Sequence, residues 1–240
     1  PVTSPAMADP LFTVVTPTRN AAATLGEAVA SVRAQTCPDW ELLLVDDGST
    51  DGSAALARGF ADRDPRIRAL RLDAPRGAAA ARNAAIPAAH GRVLVFTDAD
   101  CRPDPGWLKA FAAALPEGAP ERLLAGPVRM TVEGATPSRW EAYDLIRGIP
   151  QAHYVRLGYA ATANLAVPAS VFARLGGFDQ TRMSGGDAAF CRRVGAAGVP
   201  IALIEGASVA HPARASFDDN RDMRKISSAA MYRPIDAISA

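Results

Sequence analysis

The first half of the chain alternates short apolar runs with alanine-rich amphipathic segments, and this rhythm limits the fold more than any other sequence feature. The apolar runs predict strands over residues 12–16, 41–45, 67–72 and 93–96. The segments between them predict helices over residues 24–35, 53–63 and 77–88. Such a strand–helix repeat is typical of a mainly parallel sheet with helices on both faces. Strands dense in Val, Leu and Ile fit a sheet buried on both sides. We therefore predict an α/β protein.

The second half of the chain has a different pattern. It predicts helices near 105–114, ending at 175–177, and over 187–195, and strands over 122–132, 163–167, 201–204 and 208–210, with a weakly patterned stretch at 133–158. No internal repeat or low-complexity linker divides the sequence, so we expect one domain at residues 11–215 with two unequal halves that meet near residue 104. We expect a flexible leader at residues 1–10 and a tail or capping helix at residues 216–240.

Charge and cysteine content narrow the class of protein. The 26 basic and 25 acidic side chains leave a net charge of +1, so nothing suggests a nucleic-acid partner. Cys37, Cys101 and Cys191 are far apart, which argues against a zinc or redox motif and favours a reducing compartment. No apolar run approaches the roughly 20 residues that span a bilayer. We expect a cytoplasmic protein, and leave open a peripheral contact with the inner face of the membrane.

Polar residues follow the first two predicted strands, at the sheet edge where α/β proteins bind ligands. Pro17-Thr18-Arg19-Asn20 follows the first strand, which the proline is predicted to stop; alone, this segment is equally a plain turn. Asp46 and Asp47 end the second strand. Two carboxylates at a buried edge cost free energy unless they are paired. A ligand donor such as a nucleobase N–H would supply that partner.

Two further groups point to a site for phosphate and metal. Arg82, near the start of the third helix, could bind phosphate or carboxylate through its guanidinium group, although an ordinary surface arginine is the alternative. The fourth strand ends in Asp98-Ala99-Asp100. Carboxylate oxygens suit Mg²⁺ or Mn²⁺. Such pairs are common by chance, but this one follows a buried strand beside Asp46 and Asp47, which favours a metal–diphosphate site.

Taken together, these segments resemble the family 2 glycosyltransferases, which have the GT-A fold. The matching motifs are, in order, TPTRN (16–20), VDDGSTDGS (45–53), ARN (81–83), FTDADCRPDPGWL (96–108), ANLAV (163–167), LGGFD (175–179), GGDAAFCRR (185–193) and VAHP (209–212). The resemblance implies a single Rossmann-like domain with a mainly parallel central sheet flanked by helices. It further implies a nucleotide-binding half at about residues 11–104 and an acceptor half at about residues 105–215.

The resemblance also implies roles for the matching residues. The nucleotide sugar would be bound by Pro17, Arg19, Asp47, Arg82 and Asp98, with Asp47 on the base. A divalent metal, Mg²⁺ or Mn²⁺, would be held by Asp98, Asp100 and His211. Asp187 would be the general base of an inverting transfer. Since His211 precedes a proline at a predicted strand end, capping a turn is the alternative role for it. Where the family usually has Glu-Asp, this chain has Gly186-Asp187. The aspartate needed for the base is kept, and the missing glutamate affects the positioning of the acceptor more than the catalysis.

The implied reaction moves a sugar from a nucleoside-diphosphate sugar, with UDP favoured, to the hydroxyl of a saccharide, lipid-linked or small-molecule acceptor. A nucleotidyltransferase is one alternative, but it would more naturally carry a glycine-rich basic loop after the first strand, unlike TPTRN (16–20). A non-catalytic nucleotide-sugar-binding module is a second alternative. It would have lost the metal or base carboxylates, whereas Asp98, Asp100 and Asp187 are all present.

Overall fold

The computed structural model describes residues 10–116, 118–132, 134, 136–182 and 184–214. The expected tail at 216–240 and the expected leader, apart from Pro10, lie outside these residues. The described strands are β1 Phe12–Thr18, β2 Trp40–Asp46, β3 Ile67–Arg71, β4 Val93–Phe96, β5 Arg102–Pro103, β6 Leu123–Ala125, β7 Val128–Thr131, β8 Leu165–Pro168, β9 Ile201–Leu203 and β10 Val209–Pro212. The helices are α1 Leu25–Arg33, α2 Ser53–Ala61, α3 Ala78–Ala85, α4 Trp107–Ala113, α5 Arg139–Arg147, α6 Gln151–Arg156, α7 Ala169–Leu175 and α8 Gly186–Ala196.

The central sheet has the strand order β3-β2-β1-β4-β8-β6-β9. Its first four strands are parallel to one another, β8 is antiparallel to both β4 and β6, and β9 is parallel to β6. The predicted mainly parallel α/β architecture is therefore confirmed. A second, small sheet has the order β5-β10-β7. None of the helices in the described part of the chain is long and apolar enough to cross a membrane.

Both faces of the central sheet are buried, as strand β2 shows. Successive side chains of a strand point to opposite faces of the sheet. Leu42 and Leu44 of β2 pack into the core on one face, and Leu43 and Val45 pack into the core on the other. Every residue of β2 is buried. This double burial explains why the strands contain runs of Val and Leu rather than alternating polar and apolar residues.

The prediction that Pro17 stops the first strand is wrong, since β1 continues to Thr18 and pairs with β2 up to Thr18 and Asp46. On the side of β4, the carbonyl oxygen of Val15 accepts a hydrogen bond from Thr97 N. On the side of β2, the carbonyl oxygen of Thr18 accepts one from Asp47 N. Since the backbone groups of successive residues point to alternate sides of a strand, the backbone nitrogen of Pro17 points towards β4, as the backbone of Val15 does. That ladder ends at the Val15–Phe96 pair, so the missing N–H of Pro17 costs no ladder bond.

The single strand predicted over residues 122–132 is also wrong. The chain breaks at Gly126-Pro127 into β6, in the central sheet, and β7, in the small sheet. A Cβ at Gly126 would overlap Ala207 O and the Asn164 side chain, so only glycine fits where these segments cross. The buried Asn164 amide donates to the carbonyl oxygens of Pro127 and Ala207 and holds the crossing together.

Three smaller differences between the predicted and the observed elements concern single segments. The predicted helix over 77–88 ends as an α-helix at Ala85 and continues as a 3₁₀ turn over Ile86–Ala88, because Pro87 has no N–H for the α-helical pattern. The weakly patterned stretch contains α5 and α6, and α5 starts with a capping box of Ser138 and Glu141. The last strand, predicted over 208–210, runs from Val209 to Pro212, so His211 lies within a strand and pairs with Met130.

Candidate active site

The predicted nucleotide residues gather at the carboxyl edge of the parallel strands. Asp47 is buried, and its Oδ1 and Oδ2 accept hydrogen bonds from the backbone N–H groups of Arg76 at 2.7 Å and Gly77 at 2.8 Å. The exposed Arg19 brings Nη1 to 3.8 Å from Asp47 Oδ2. Pro17 lies half-buried on β1 just before this pair. Asp47 thus fixes the loop that precedes α3.

Asp46 also has partners within the chain. Its Oδ2 accepts from Ser49 N at 3.3 Å and lies 3.6 Å from Arg71 Nε. The chain itself therefore supplies donors to both carboxylates, but Asp46 Oδ1 is buried without a hydrogen-bond partner among the described residues. A carboxylate oxygen has more than one acceptor position, so the binding of a base by Asp47 stays a prediction.

Arg82 is not an ordinary surface arginine. Its side chain is only 12% exposed, and its Nη2 donates to Asp98 Oδ1 at 2.8 Å. Arg82 Nε is buried without a hydrogen-bond partner among the described residues. The small buried residues Ala80, Ala81 and Ala85 let α3 lie close to the sheet. The helix can therefore place a guanidinium group directly beside the carboxylate pair.

His211 and Asp100 form a second contact near the edge. His211 is buried, and its Nδ1 lies 2.8 Å from Pro212 O. Since a carbonyl oxygen can only accept, Nδ1 is the donor in this contact, and Nε2 is the ring nitrogen that faces Asp100. Nε2 lies 3.8 Å from Asp100 Oδ1, which is buried and has no hydrogen-bond partner in the described part of the chain. Burial raises the pKa of Asp100; the neighbouring His211 opposes this shift, and the charge of Asp98 adds to it.

These residues fit a divalent cation. Ligand atoms of Asp98, Cys101 and His211 all lie within 4.8 Å of one another. Asp100 lies outside this group, and its Oδ1 is 3.8 Å from His211 Nε2. Carboxylate oxygens are suitable for Mg²⁺ or Mn²⁺, and the unpartnered Asp100 Oδ1 gains a partner if a cation binds. Cys101 was not singled out from the sequence. Burial raises the pKa of its thiol well above the ordinary value of 9.0, so this group is protonated and is the poorest donor of the cluster.

A cleft of about 300 Å³ lies beside this cluster. Arg76, Gly77 and Arg82 line one wall, and Phe178, Gly186 and Asp187 line another. The first turns of α3 and α8 both contribute residues to the lining, and neither helix has an N-cap side chain, although Ala188 N in the first turn of α8 donates to Asp187. Uncapped N–H groups and the arginines make the cleft suitable for an anion. Arg82 is the residue that belongs both to the cleft and to the carboxylate cluster.

Asp187 lies half-buried in the first turn of α8. Its Oδ1 accepts from Ala188 N at 2.8 Å, which orients the carboxylate at the cleft wall. A Cβ on the neighbouring Gly186 would meet only Asp179 O, at 3.8 Å, an ordinary contact. Glycine is therefore not required by the backbone at this position, and its missing side chain leaves additional space beside Asp187.

Sequence reasoning missed Asn83, which connects the two walls. Its Nδ2 donates to Phe178 O at 2.7 Å, and its Oδ1 accepts from Phe178 N at 2.8 Å. In the sequence, Asn83 is marked only by its place directly after Arg82, at the end of the ARN motif (81–83). That pattern carried no information on its partner, which is 95 residues away.

Comparisons with known proteins identify the family of the chain. The family model described as Glycosyl transferase family 2 matches residues 13–172. Glycosyltransferase AglE of Haloferax volcanii is 32% identical over 85% of this chain and 68% of its own length. A PGL/p-HBAD biosynthesis glycosyltransferase of Mycobacterium tuberculosis is 37% identical over 59% of this chain and 55% of its own length. The putative teichuronic acid biosynthesis glycosyltransferase TuaG of Bacillus subtilis is 42% identical over 38% of this chain and 36% of its own length.

Solved structures show the same fold. The mannosyltransferase PcManGT from Pyrobaculum calidifontis, in complex with GDP-Man and Mn²⁺, matches with a TM-score of 0.65 and 23% identity, over 85% of this chain and 57% of that one. S. aureus TarS 1-349, in complex with UDP-GlcNAc, matches with a TM-score of 0.69 and 20% identity, over 85% of this chain and 59% of that one. The chain thus spans little more than half the length of several of the proteins it matches. It belongs to glycosyl transferase family 2, and its described residues have the GT-A fold.

Proposed function

We propose that the protein transfers a sugar from a nucleoside-diphosphate sugar to an acceptor hydroxyl, with inversion at the anomeric carbon and Asp187 as the general base. One observation carries this proposal: Arg82 pairs with Asp98 and also lines the cleft that contains Asp187. A diphosphate bound beside Asp98 and Arg82 would therefore direct its sugar into a cleft with a carboxylate on the far wall.

The donor would lie along the carboxyl edge of the sheet. Pro17 and Arg19 border the proposed nucleotide site, and Asp47 would accept from the base while it holds the loop at Arg76 and Gly77. UDP is the favoured nucleotide on family resemblance. Since the solved relatives named above contain GDP-Man in one case and UDP-GlcNAc in the other, both nucleotides belong in the test.

Asp98, Asp100 and His211 would hold Mg²⁺ or Mn²⁺. When bound, the cation would act as a Lewis acid for the charge that develops on the leaving diphosphate. Arg82 adds a fixed positive charge at the same place, because its guanidinium group is already held against Asp98.

Asp187 would take the proton of the acceptor hydroxyl while the oxygen of that hydroxyl bonds to the anomeric carbon. The bond from that carbon to the diphosphate breaks in the same step, and the leaving group keeps the bonding electron pair. Attack from the face opposite the diphosphate inverts the configuration of the carbon. Asp187 and Arg82 line the same cleft, which supports a base and a diphosphate site that face one cavity.

Donor hydrolysis is the direct test, because water serves as acceptor and no natural acceptor has to be known. With Mn²⁺ present, we expect the protein to release nucleoside diphosphate from at least one UDP- or GDP-sugar. Asp187→Asn should lower this rate by about 100-fold or more and leave the donor dissociation constant unchanged. Asp39→Asn is the matched control, since Asp39 is an exposed aspartate just before β2, at the sheet edge away from the cleft. Full activity of Asp187→Asn would contradict the assignment of the base.

The cation assignment is tested separately by titration calorimetry. Donor affinity should increase when Mn²⁺ is added, and Asp100→Ala should remove most of that increase. Asp62→Ala, an exposed change after α2, should leave it intact. Equal donor affinity with and without Mn²⁺ in the unmodified protein would contradict a cation bound by Asp98, Asp100 and His211.

A further inference from the structure

Helix α5 exposes apolar side chains and buries a carboxylate, which is the reverse of the usual arrangement in a globular domain. Its buried residue is Asp144, whereas Ile146 is 88% exposed and Tyr143 and Leu145 are also exposed. Just after α6, Leu157 is 52% exposed. Of the large apolar side chains that are exposed among the described residues, all but Leu56 lie in this short segment. We call α5 and α6, with Leu157, the α5–α6 segment.

The α5–α6 segment is basic as well as apolar. Arg139 and Arg147 lie on α5, and Arg156 ends α6. The acidic groups of α5 are already engaged: Glu141 accepts from Ser138 N in the capping box, and the buried Asp144 pairs with Arg214. Arg139, Tyr143 and Ile146 follow helical spacing, so one face of α5 carries a cation, an aromatic ring and an aliphatic side chain. This combination is typical of helices that lie on anionic bilayers.

The α5–α6 segment also adjoins the proposed catalytic machinery. Arg214 follows strand β10, which carries His211, and its backbone N–H donates to Asp144 Oδ2 at 3.1 Å. On the other side, Tyr154 of α6 stacks on Tyr159 with 4.8 Å between the ring centroids. Arg192 of α8, the helix that carries Asp187, lies over the same Tyr159 ring at 5.0 Å. A surface that binds the segment therefore lies near the acceptor side of the cleft.

We propose that the α5–α6 segment docks the protein onto an anionic lipid surface. Where the proposed function holds, an acceptor that meets Asp187 from this side is itself carried by the membrane. Two other partners could cover the exposed face of the α5–α6 segment, namely residues 215–240 of the same chain or a second copy of the chain, and both match its positive charge less well. Residues 215–240 contain four acidic and four basic side chains and so have no net charge to complement the arginines. A second copy in a twofold contact would bring two copies of the same basic surface together.

Vesicle flotation of the full chain tests the docking. We expect binding to vesicles of phosphatidylcholine mixed with phosphatidylglycerol, release by added salt, and little binding to phosphatidylcholine alone. Ile146→Glu should weaken binding by about tenfold or more, and Arg139→Gln by about fivefold. Leu56→Glu is the matched control, because Leu56 is an exposed leucine of α2 with the same 37% exposure as Leu145, and it should bind like the unmodified protein.

Further measurements separate the competing occupants. Ile146→Glu should leave the melting temperature and the sedimentation coefficient unchanged. If it lowers the melting temperature by several degrees while the unmodified protein ignores vesicles, another part of the chain covers Ile146 and the proposal is wrong. If it splits a dimer, a second copy is the occupant and the proposal is equally wrong. Equal losses in Ile146→Glu and Leu56→Glu would also overturn it.

The docking and the proposed function can fail independently. Ile146→Glu should hydrolyse donor in the absence of vesicles at the rate of the unmodified protein. Vesicle binding without donor hydrolysis in the unmodified protein would reject the enzymatic proposal and keep the docking. Donor hydrolysis without selective binding to anionic vesicles would reject the docking and keep the enzyme.

Discussion

At the scale of single residues, Asp47 shows how one side chain can fix the shape of a cleft that it does not line. Its two oxygens accept from consecutive backbone N–H groups, at Arg76 and Gly77, and those residues line the cleft. A carboxylate that accepts two N–H groups holds the backbone between them in one conformation. The shape of one cleft wall therefore depends on a residue that is not itself among those that line it.

We expect Asp47→Ala to lower the free energy of unfolding by about 1–3 kcal/mol, because it leaves two donors without their acceptor. Donor affinity should fall as well, since the loop before α3 loses its anchor. Urea denaturation and nucleotide titration measure the two effects. Asp73→Ala, an exposed change on the same loop, should alter neither quantity. A stable Asp47→Ala variant with normal donor affinity would show that the loop is held by other contacts.

The sequence predicted where these carboxylates lie but not what they bind. Hydrophobic runs place Asp46, Asp47, Asp98 and Asp100 at strand ends, and strand ends of a parallel sheet meet at one edge. The N–H donors to Asp47 are 29 and 30 residues away in the chain, so no local pattern identifies them. Desolvation arguments alone therefore assigned to a ligand the contacts that the chain makes to itself.

At the scale of elements, α3 connects the two sides of the cleft. Arg82 lines the cleft, and the next residue, Asn83, bonds to both backbone groups of Phe178 in the segment between α7 and α8. The asparagine amide thus occupies the place of a neighbouring strand. Gly177 passes so close that a Cβ there would overlap Asn83 Oδ1. The contact holds the wall that contains Phe178 against the helix that contains Arg82.

A double-mutant cycle tests this connection. Asn83→Ala and Gly177→Ala should each destabilise the fold by about 1–3 kcal/mol, the first by leaving backbone groups unpaired and the second by displacing Asn83. The double variant should cost much less than the sum, because the new methyl group occupies the space that the amide has left. Chemical denaturation measures all four proteins. Additive losses would show that the two residues act independently.

Elements were predictable where local pattern and tertiary structure agree. β2 and β4 combine apolar runs with full burial, and the sequence located both correctly. The region 122–132 was predicted as one strand because its composition does not reveal that two sheets compete for it. The break depends on the crossing of Gly126 with Ala207, a contact between distant segments. The helix α5 was missed although Ser138 and Glu141 form a capping box, a local pattern that marks the start of a helix.

At the scale of the whole molecule, the central sheet separates its site from a cluster that holds its opposite edge together. Glu41, near the start of β2, is buried and accepts from Thr13 Oγ1 at 2.7 Å and His90 N at 2.6 Å. Arg68 Nη1 lies 3.2 Å from its other oxygen. One carboxylate therefore connects β1, β2, β3 and the segment before β4, at the edge away from Asp98 and Asp187.

This separation predicts a change in acid stability without a change in activity. Burial alone would raise the pKa of Glu41, but hydrogen bonds from His90 N–H and Thr13 and the nearby cations hold it below its ordinary value of 4.5. Because the folded pKa is depressed, the stabilisation is complete above the unfolded pKa and is lost as pH falls through the folded pKa. Glu41→Gln should therefore lower the free energy of unfolding by about 1–3 kcal/mol at neutral pH and reduce its decline below about pH 4.5.

Urea denaturation across a pH series, with donor hydrolysis at neutral pH, measures both parts of this prediction. Glu121→Gln is the matched control, since Glu121 pairs with Arg174 at an exposed position where solvent screens the ion pair. It should leave stability at neutral pH unchanged. Both variants should retain normal donor hydrolysis, because neither residue lies at the carboxyl edge of the sheet. If the stability of Glu41→Gln declined with acid as steeply as that of the unmodified protein, proton uptake by Glu41 would not be coupled to unfolding. If donor hydrolysis fell instead, the two edges of the sheet would be energetically linked.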